Sequence, residues 1–301
     1  MTPDLGASVR QRLLNHARAQ ERPFQELLQY YAMERFLYRL SKSRHAETFI
    51  LKGALLLTAW QAPLSRATRD IDLLGRTSNE LAHIRALFAQ LCEIESEADG
   101  IEFDAKSVKV ARIKEDADYE GVRVHFRAVL ARAQIPMQID IGFGDVVNPG
   151  VIEIAYPTLL EFSPPVLRAY PKETVVAEKL EAVTALEMLN SRMKDFFDLW
   201  ALSRMYGFDG PILLKAIKAT FDHRGTVIEA QPVGLEDEFA NDRTKLTQWT
   251  AFLRRSRLSS APARLYETIV AVREFAGPPL SAAATGSAFK NTWQAGGPWS
   301  I

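Results

Sequence analysis

At 301 residues, 47% hydrophobic and 25% charged, the chain is long enough to bury a sizeable core and is expected to form two domains. Its formal net charge is zero, which excludes nucleic-acid binding through bulk charge and leaves only a local basic surface open. The single cysteine, Cys92, excludes an internal disulfide and fits a reducing compartment.

In chain order, the opening "MTPDLGASVRQRLL" lacks the apolar run of a signal peptide. Residues 7–43 read as helical, with Leu27, Tyr31, Met33, Phe36, Leu37 and Leu40 near helical spacing and Pro23 at a first turn. "TFILK" reads as a short strand that runs through Gly53 into the helix "ALLLTAW". This most apolar stretch is too short to span a bilayer and carries Lys52, so a cytoplasmic protein without a membrane partner is expected. A strand follows at 69–75, then a helix from a Thr77-Ser78 cap to Cys92. Three strands are expected around Ser107–Ile113, Val122–Ala131 and Pro136–Phe143. In the last of these, Met137, Ile139, Ile141 and Phe143 alternate with Gln138, Asp140 and Gly142, which puts Asp140 on the polar face. "FSPPVLRAYPKET" reads as a linker or irregular crossing. Beyond it, helices are expected at 173–189, 192–206, 210–220, 235–256 and 261–275, and the Gly/Pro/Ser/Ala-rich tail is expected to be poorly ordered. The fold class is thus α/β (α+β). A mixed α/β domain with amino-terminal helices spans 1–160, a helical domain 161–276 and a flexible tail 277–301.

The stretch "RATRDIDLLG" carries the first chemistry. Residues i and i+2 of a strand share a face, so Asp70 and Asp72 point one way while Ile71 and Leu73 point the other. Two adjacent carboxylates repel, and a divalent cation relieves the repulsion; magnesium takes one or two carboxylates plus waters and substrate phosphates. The spacing alone also fits a solvated strand end. Gly53, where a strand feeds a helix, either exposes backbone N–H groups to a phosphate or fills a tight packing corner. Asp140 is a third acid, able to complete a metal site or act as a general base, or else a surface aspartate. In the helical half, Lys179 lies beside the Val176, Leu180, Val183 stripe, and Lys194, Asp195 and Asp198 fall at helical spacing. There is no GxxxxGK[ST] loop, no GxGxxG and no Cys/His metal spacing.

"ERFLYRL", "FILKGALLLTAW", "RATRDIDLLG", "QIDIGFGD", "YPKETVVAEKLEA" and "NSRMKDFFDLW", in this order over about residues 24–225, resemble the nucleotidyltransferase-like toxins of the AbiEii/AbiGii family, toxin halves of type IV toxin–antitoxin and abortive-infection systems. The resemblance implies a minimal nucleotidyltransferase fold with a mixed sheet and a helical carboxy-terminal domain. It maps the family's first motif onto Gly53-Ala54 and Asp70/Asp72, and its later acidic motif onto Asp140. Its helix lysine maps onto Lys179, and its Lys-Asp-x-x-Asp motif onto Lys194, Asp195 and Asp198. It implies Mg2+, held by Asp70, Asp72 and Asp140, and a nucleoside triphosphate met by Gly53, Ala54, Lys179, Lys194, Asp195 and Asp198, with Asp70, Asp72, Asp140 and Lys179 as catalytic residues. It also implies an RNA acceptor such as tRNA and a cognate antitoxin protein. Ala54 departs from the family's serine or glycine and cannot offer a hydroxyl to phosphate. Two other readings of the same acids are a catalytically silent binding module and a magnesium-dependent nuclease.

Overall fold

The computed structural model describes residues 4–60, 66–116, 119–258 and 260–301, except the side chains of 114–116 and 119–120. Two compact units are present. Among the described residues, the first comprises 4–60, 67–116, 119–144 and 152–169, and the second 66, 145–151, 170–258 and 260–301.

The first unit contains α1 (Leu5–Ala19), α2 (Phe24–Lys42), β1 (Phe49–Lys52), α3 (Leu55–Ala59), β2 (Asp70–Gly75), α4 (Leu81–Cys92), β3 (Ile101–Asp116), β4 (Tyr119–Leu130), β5 (Ala133–Phe143), β6 (Ile152–Ala155) and β7 (Val166–Ala169). Its seven strands form one mixed sheet in the order β3-β4-β5-β2-β1-β7-β6. β2 runs parallel to β5, and β1 parallel to β7; the other neighbours are antiparallel. One sheet face is apolar because period-2 alternation stacks Ile71, Leu73, Val122, Val124, Ile139 and Ile141 in register, all of them buried. Helices close this face: Phe36 of α2 meets Phe126 at 5.0 Å, Phe103 at 5.5 Å and Phe88 of α4 at 5.9 Å between ring centroids. The opposite face therefore carries the polar residues of β2, β4 and β5.

A buried charged network ties α2 to two loops. Arg35 Nε donates to Asp99 at 2.9 Å, one terminal nitrogen to Glu97 at 2.7 Å and the other to the Ser163 carbonyl at 3.1 Å; Arg39 donates to Asp99 at 2.8 Å. Next to it, Glu34 is 1% exposed and its Oε2 accepts from the Leu159 N–H at 2.7 Å. Burial pushes the Glu34 carboxyl up to about 7, against the Leu159 hydrogen bond and the Arg35 charge. Below the ordinary value of 4.5 both folded and unfolded chains carry the proton. As pH rises from there, the unfolded chain ionises first, so stability from Glu34 is lost progressively between pH 4.5 and about 7. Glu34→Gln keeps an acceptor for Leu159 and removes the ionisation. Its melting temperature is expected to match the native chain at pH 4.5 and exceed it at pH 8, by the equivalent of up to about 3 kcal/mol. Parallel melting curves across that range would contradict this.

The second unit contains α5 (Lys172–Leu186), α6 (Met193–Met205), β8 (Phe208–Asp209), α7 (Gly210–Arg224), α8 (Asp237–Asn241), α9 (Arg243–Ser256), α10 (Leu265–Thr285), β9 (Thr292–Trp293) and β10 (Trp299–Ser300). The mixed sheet and the helical second half agree with the sequence reading. The expectations for the linker and the tail do not. Val166–Ala169, inside the supposed linker, is a strand paired with β1. The supposed flexible tail 277–301 is also built into the unit: α10 continues through Pro278 and Pro279, and β8, β9 and β10 form a small antiparallel sheet. Pro279 has no N–H to give the Phe275 carbonyl, and the Trp299 indole N–H donates to that carbonyl instead, at 2.8 Å. Trp293 is buried and donates to the Ser203 carbonyl at 2.7 Å. The tail's tryptophans thus supply the anchoring that its composition concealed.

Candidate active site

The polar sheet face is set by register. Asp72 of β2 lies opposite Asp140 of β5, and Asp70 opposite Gln138. Arg123 of β4 lies opposite Asp140, and His125 opposite Gln138. On the other side of β2, Lys52 lies opposite Asp72. One row across four strands therefore reads Lys52, Asp72, Asp140, Arg123. Three carboxylates expected to gather from distant parts of the chain do share one face of one sheet.

Gly53 follows the row. Its φ is +74°, a conformation glycine adopts without penalty. A Cβ at this position would run into the Asp72 side chain, at 2.7 Å from its Cγ. The glycine is thus both a turn residue and the clearance for the Asp72 carboxylate. Ala54 is 5% exposed, at the cap of the five-residue helix α3. A helix this short contributes little macrodipole, so any phosphate contact here rests on individual N–H groups.

Asp70 and Asp72 are half-buried and Asp140 is buried. Arg123 holds both Asp140 oxygens, Nε to Oδ1 and Nη2 to Oδ2, each at 2.7 Å. Such bidentate geometry fixes the carboxylate's orientation. The hydrogen bond from Arg123 to Asp140 raises the guanidinium pKa, burial opposes it, and the charges of Asp140, Asp70 and Asp72 reinforce the rise. Among the described residues no three His, Cys, Asp or Glu side chains converge as a ready cation cage. Asp140 is engaged by Arg123, and Asp70 and Asp72 on the same face carry carboxylates of the hard-oxygen type. Such a pair suits a magnesium-type ion that completes its shell with waters and substrate phosphates, and does not suit an all-protein cage.

In the second unit, Lys179 of α5 donates to Asp195 at 2.8 Å and meets Asp198 at 2.7 Å, both on α6. Arg192 meets Asp195 at 2.6 Å, and Arg66 grips Asp198 through two bonds of 2.9 and 3.0 Å. Burial favours the neutral carboxyls, yet the Lys179 and arginine charges hold both aspartates below the usual carboxylate range. Burial likewise disfavours charged Lys179, and the two aspartates more than offset it, so its pKa is raised. Lys194 is exposed, whereas Asp195 and Asp198 are 1% exposed, so the three do not share an environment as helical spacing suggests. Sequence reasoning missed Arg123, Arg66 and Arg192. The alternation of Arg123, His125 and Arg127 along "GVRVHFRA" is the signal that marks the first as a polar-face residue.

The family model described as "Nucleotidyl transferase AbiEii toxin, Type IV TA system" matches residues 35–274, and the chain belongs to this family. Two crystal structures from Helicobacter pylori are similar to it, one of a candidate nucleotidyltransferase and one of JHP933. Each has 18% identity and a TM-score of 0.49, covering 87% of this chain and 96% and 93% of theirs respectively. No curated protein matches the sequence. No helix among the described residues is long and apolar enough to cross a membrane.

Proposed function

We propose that this chain is a magnesium-dependent nucleotidyltransferase toxin that moves a nucleoside monophosphate from a nucleoside triphosphate to an RNA acceptor, tRNA being the acceptor the family resemblance favours. The observation that carries the reading is the register of Asp72 with Asp140 on the face that also bears Asp70, beside a glycine whose side chain could only be hydrogen. Asp70 and Asp72 would hold the cation. When bound, it would draw charge from the triphosphate oxygens and favour departure of pyrophosphate. Gly53 and Ala54 offer backbone N–H groups to phosphate. Asp140, gripped by Arg123, would steady the cation or take the proton of the attacking hydroxyl only once Arg123 releases it. In the helical unit, Lys179 is assigned to neutralising charge on the triphosphate or the leaving pyrophosphate, and Asp195, Asp198 and, from its separate exposed position, Lys194 to the nucleotide side.

In the reaction, an acceptor oxygen bonds to the α-phosphorus and the bond from that phosphorus to the bridging oxygen breaks. Pyrophosphate leaves, and the hydroxyl proton passes to a base. The protein's part is positioning and electrostatic preorganisation. A cognate antitoxin protein is the expected partner, and the cytoplasm the expected compartment.

The test is incubation of the full chain with total RNA, magnesium and each labelled triphosphate in turn, read on a sequencing gel. Label in lengthened RNA is expected. Shortened RNA would mean a nuclease, and triphosphate binding without incorporation would mean a silent binding module.

A further inference from the structure

Arg123 was not among the residues that the motifs single out, yet it is firmly placed on the acid-bearing face. It occupies both oxygens of Asp140 at 2.7 Å, lies opposite it in the β4–β5 ladder, and is charge-coupled to Asp70 and Asp72 as well. Its side chain keeps 38% exposure, so it borders open space rather than the core. A carboxylate with both oxygens bound to a guanidinium is a poor ligand for a second cation. A fixed positive charge facing two more carboxylates also opposes an incoming divalent ion through Coulomb repulsion. A nucleoside triphosphate brings several negative charges of its own, and guanidinium is well matched to phosphate oxygens.

We propose that Arg123 is a positioning residue that holds Asp140 and weakens cation binding at Asp70/Asp72 until a triphosphate is present, so that cation and nucleotide bind as a pair. The inference rests on the metal assignment above. It goes further by naming the residue that couples the two ligands and by stating the sign of the coupling.

The probe is Mn2+, titrated calorimetrically into the full chain with and without a non-hydrolysable nucleoside triphosphate. The native chain should bind Mn2+ weakly alone and at least about tenfold more tightly with nucleotide. Arg123→Met should tighten nucleotide-free Mn2+ binding about tenfold and shrink the nucleotide effect. Arg123→Lys, which keeps the charge but loses the two-pronged grip, should stay within about threefold of the native affinity. Far-UV circular dichroism melts of both variants report whether they are folded.

Unchanged or weaker Mn2+ binding in a folded Arg123→Met protein overturns the proposal. So does an equal tightening in Arg123→Lys, because the charge would then not be the cause. If Arg123→Met does not fold, Arg123→Gln substitutes and is held to the same thresholds. Asp72→Asn separates this inference from the reading beneath it: native-like Mn2+ binding in that variant would remove the metal site itself. Loss of binding there, with no change in Arg123→Met, would remove only the role given to Arg123.

Discussion

Asp72→Asn is expected to lower nucleotide transfer about a thousandfold and to leave the melting temperature within about 3 °C of the native chain. The residue sits in the middle of the polar row, opposite Asp140 on one side and Lys52 on the other. Asparagine has nearly the same shape, so packing around Gly53 and β5 survives. What is lost, on the proposed assignment, is one of two anionic ligands for the cation. Electrostatic stabilisation by a bound cation is worth several kcal/mol in the transition state, and each 1.4 kcal/mol or so is a factor of ten in rate. The check is transfer rate with thermal denaturation on the same preparation. A stable variant with native activity would remove Asp72 from the site.

Gly53→Ala is expected to reduce transfer at least about a hundredfold and also to cost stability, unlike the first change. The backbone there has φ +74°, which costs an L-residue about 1–2 kcal/mol. The added methyl would also overlap the Asp72 carboxylate, so Asp72 must leave its native position. Displacement of a reacting group by about 1 Å costs on the order of a hundredfold. Both effects have a shared origin, so a variant that is destabilised yet fully active would show that the Asp72 position is irrelevant to transfer. Measured kcat and KM beside a urea melt decide the point.

Much of the site was legible because its signals are periodic. Asp70 and Asp72 at i and i+2, and the alternation that turns Asp140 outward, depend on the two-residue repeat of a strand and nothing else. Register is a long-range property, and no local pattern says that residue 72 meets residue 140 or that Arg123 meets Asp140. An arginine on a half-exposed strand reads as surface until its partner is known. Helical spacing misled at Lys194: it lies only about 40° around the helix from buried Asp198, yet in the first turn of α6 it is exposed.

The fold shows the same division. Strand β3 begins at Ile101, earlier than the run from Ser107 suggests, because an irregularity between Asp104 and Lys109 breaks the alternation there. Strand β7 hides behind Pro164 and Pro165, and α10 passes through two prolines because Trp299 supplies a donor from far along the chain. Propensity marks proline as a stop, and only the tertiary partner reverses that mark.

The most direct measurement follows the two ends of the triphosphate. With the native chain, magnesium and RNA, label at the α-phosphate should enter lengthened RNA while label at the γ-phosphate leaves as pyrophosphate, and an Asp70→Asn/Asp72→Asn double variant should do neither. Transfer of the γ-label to RNA or protein, or undiminished α-label incorporation by the double variant, would contradict the account.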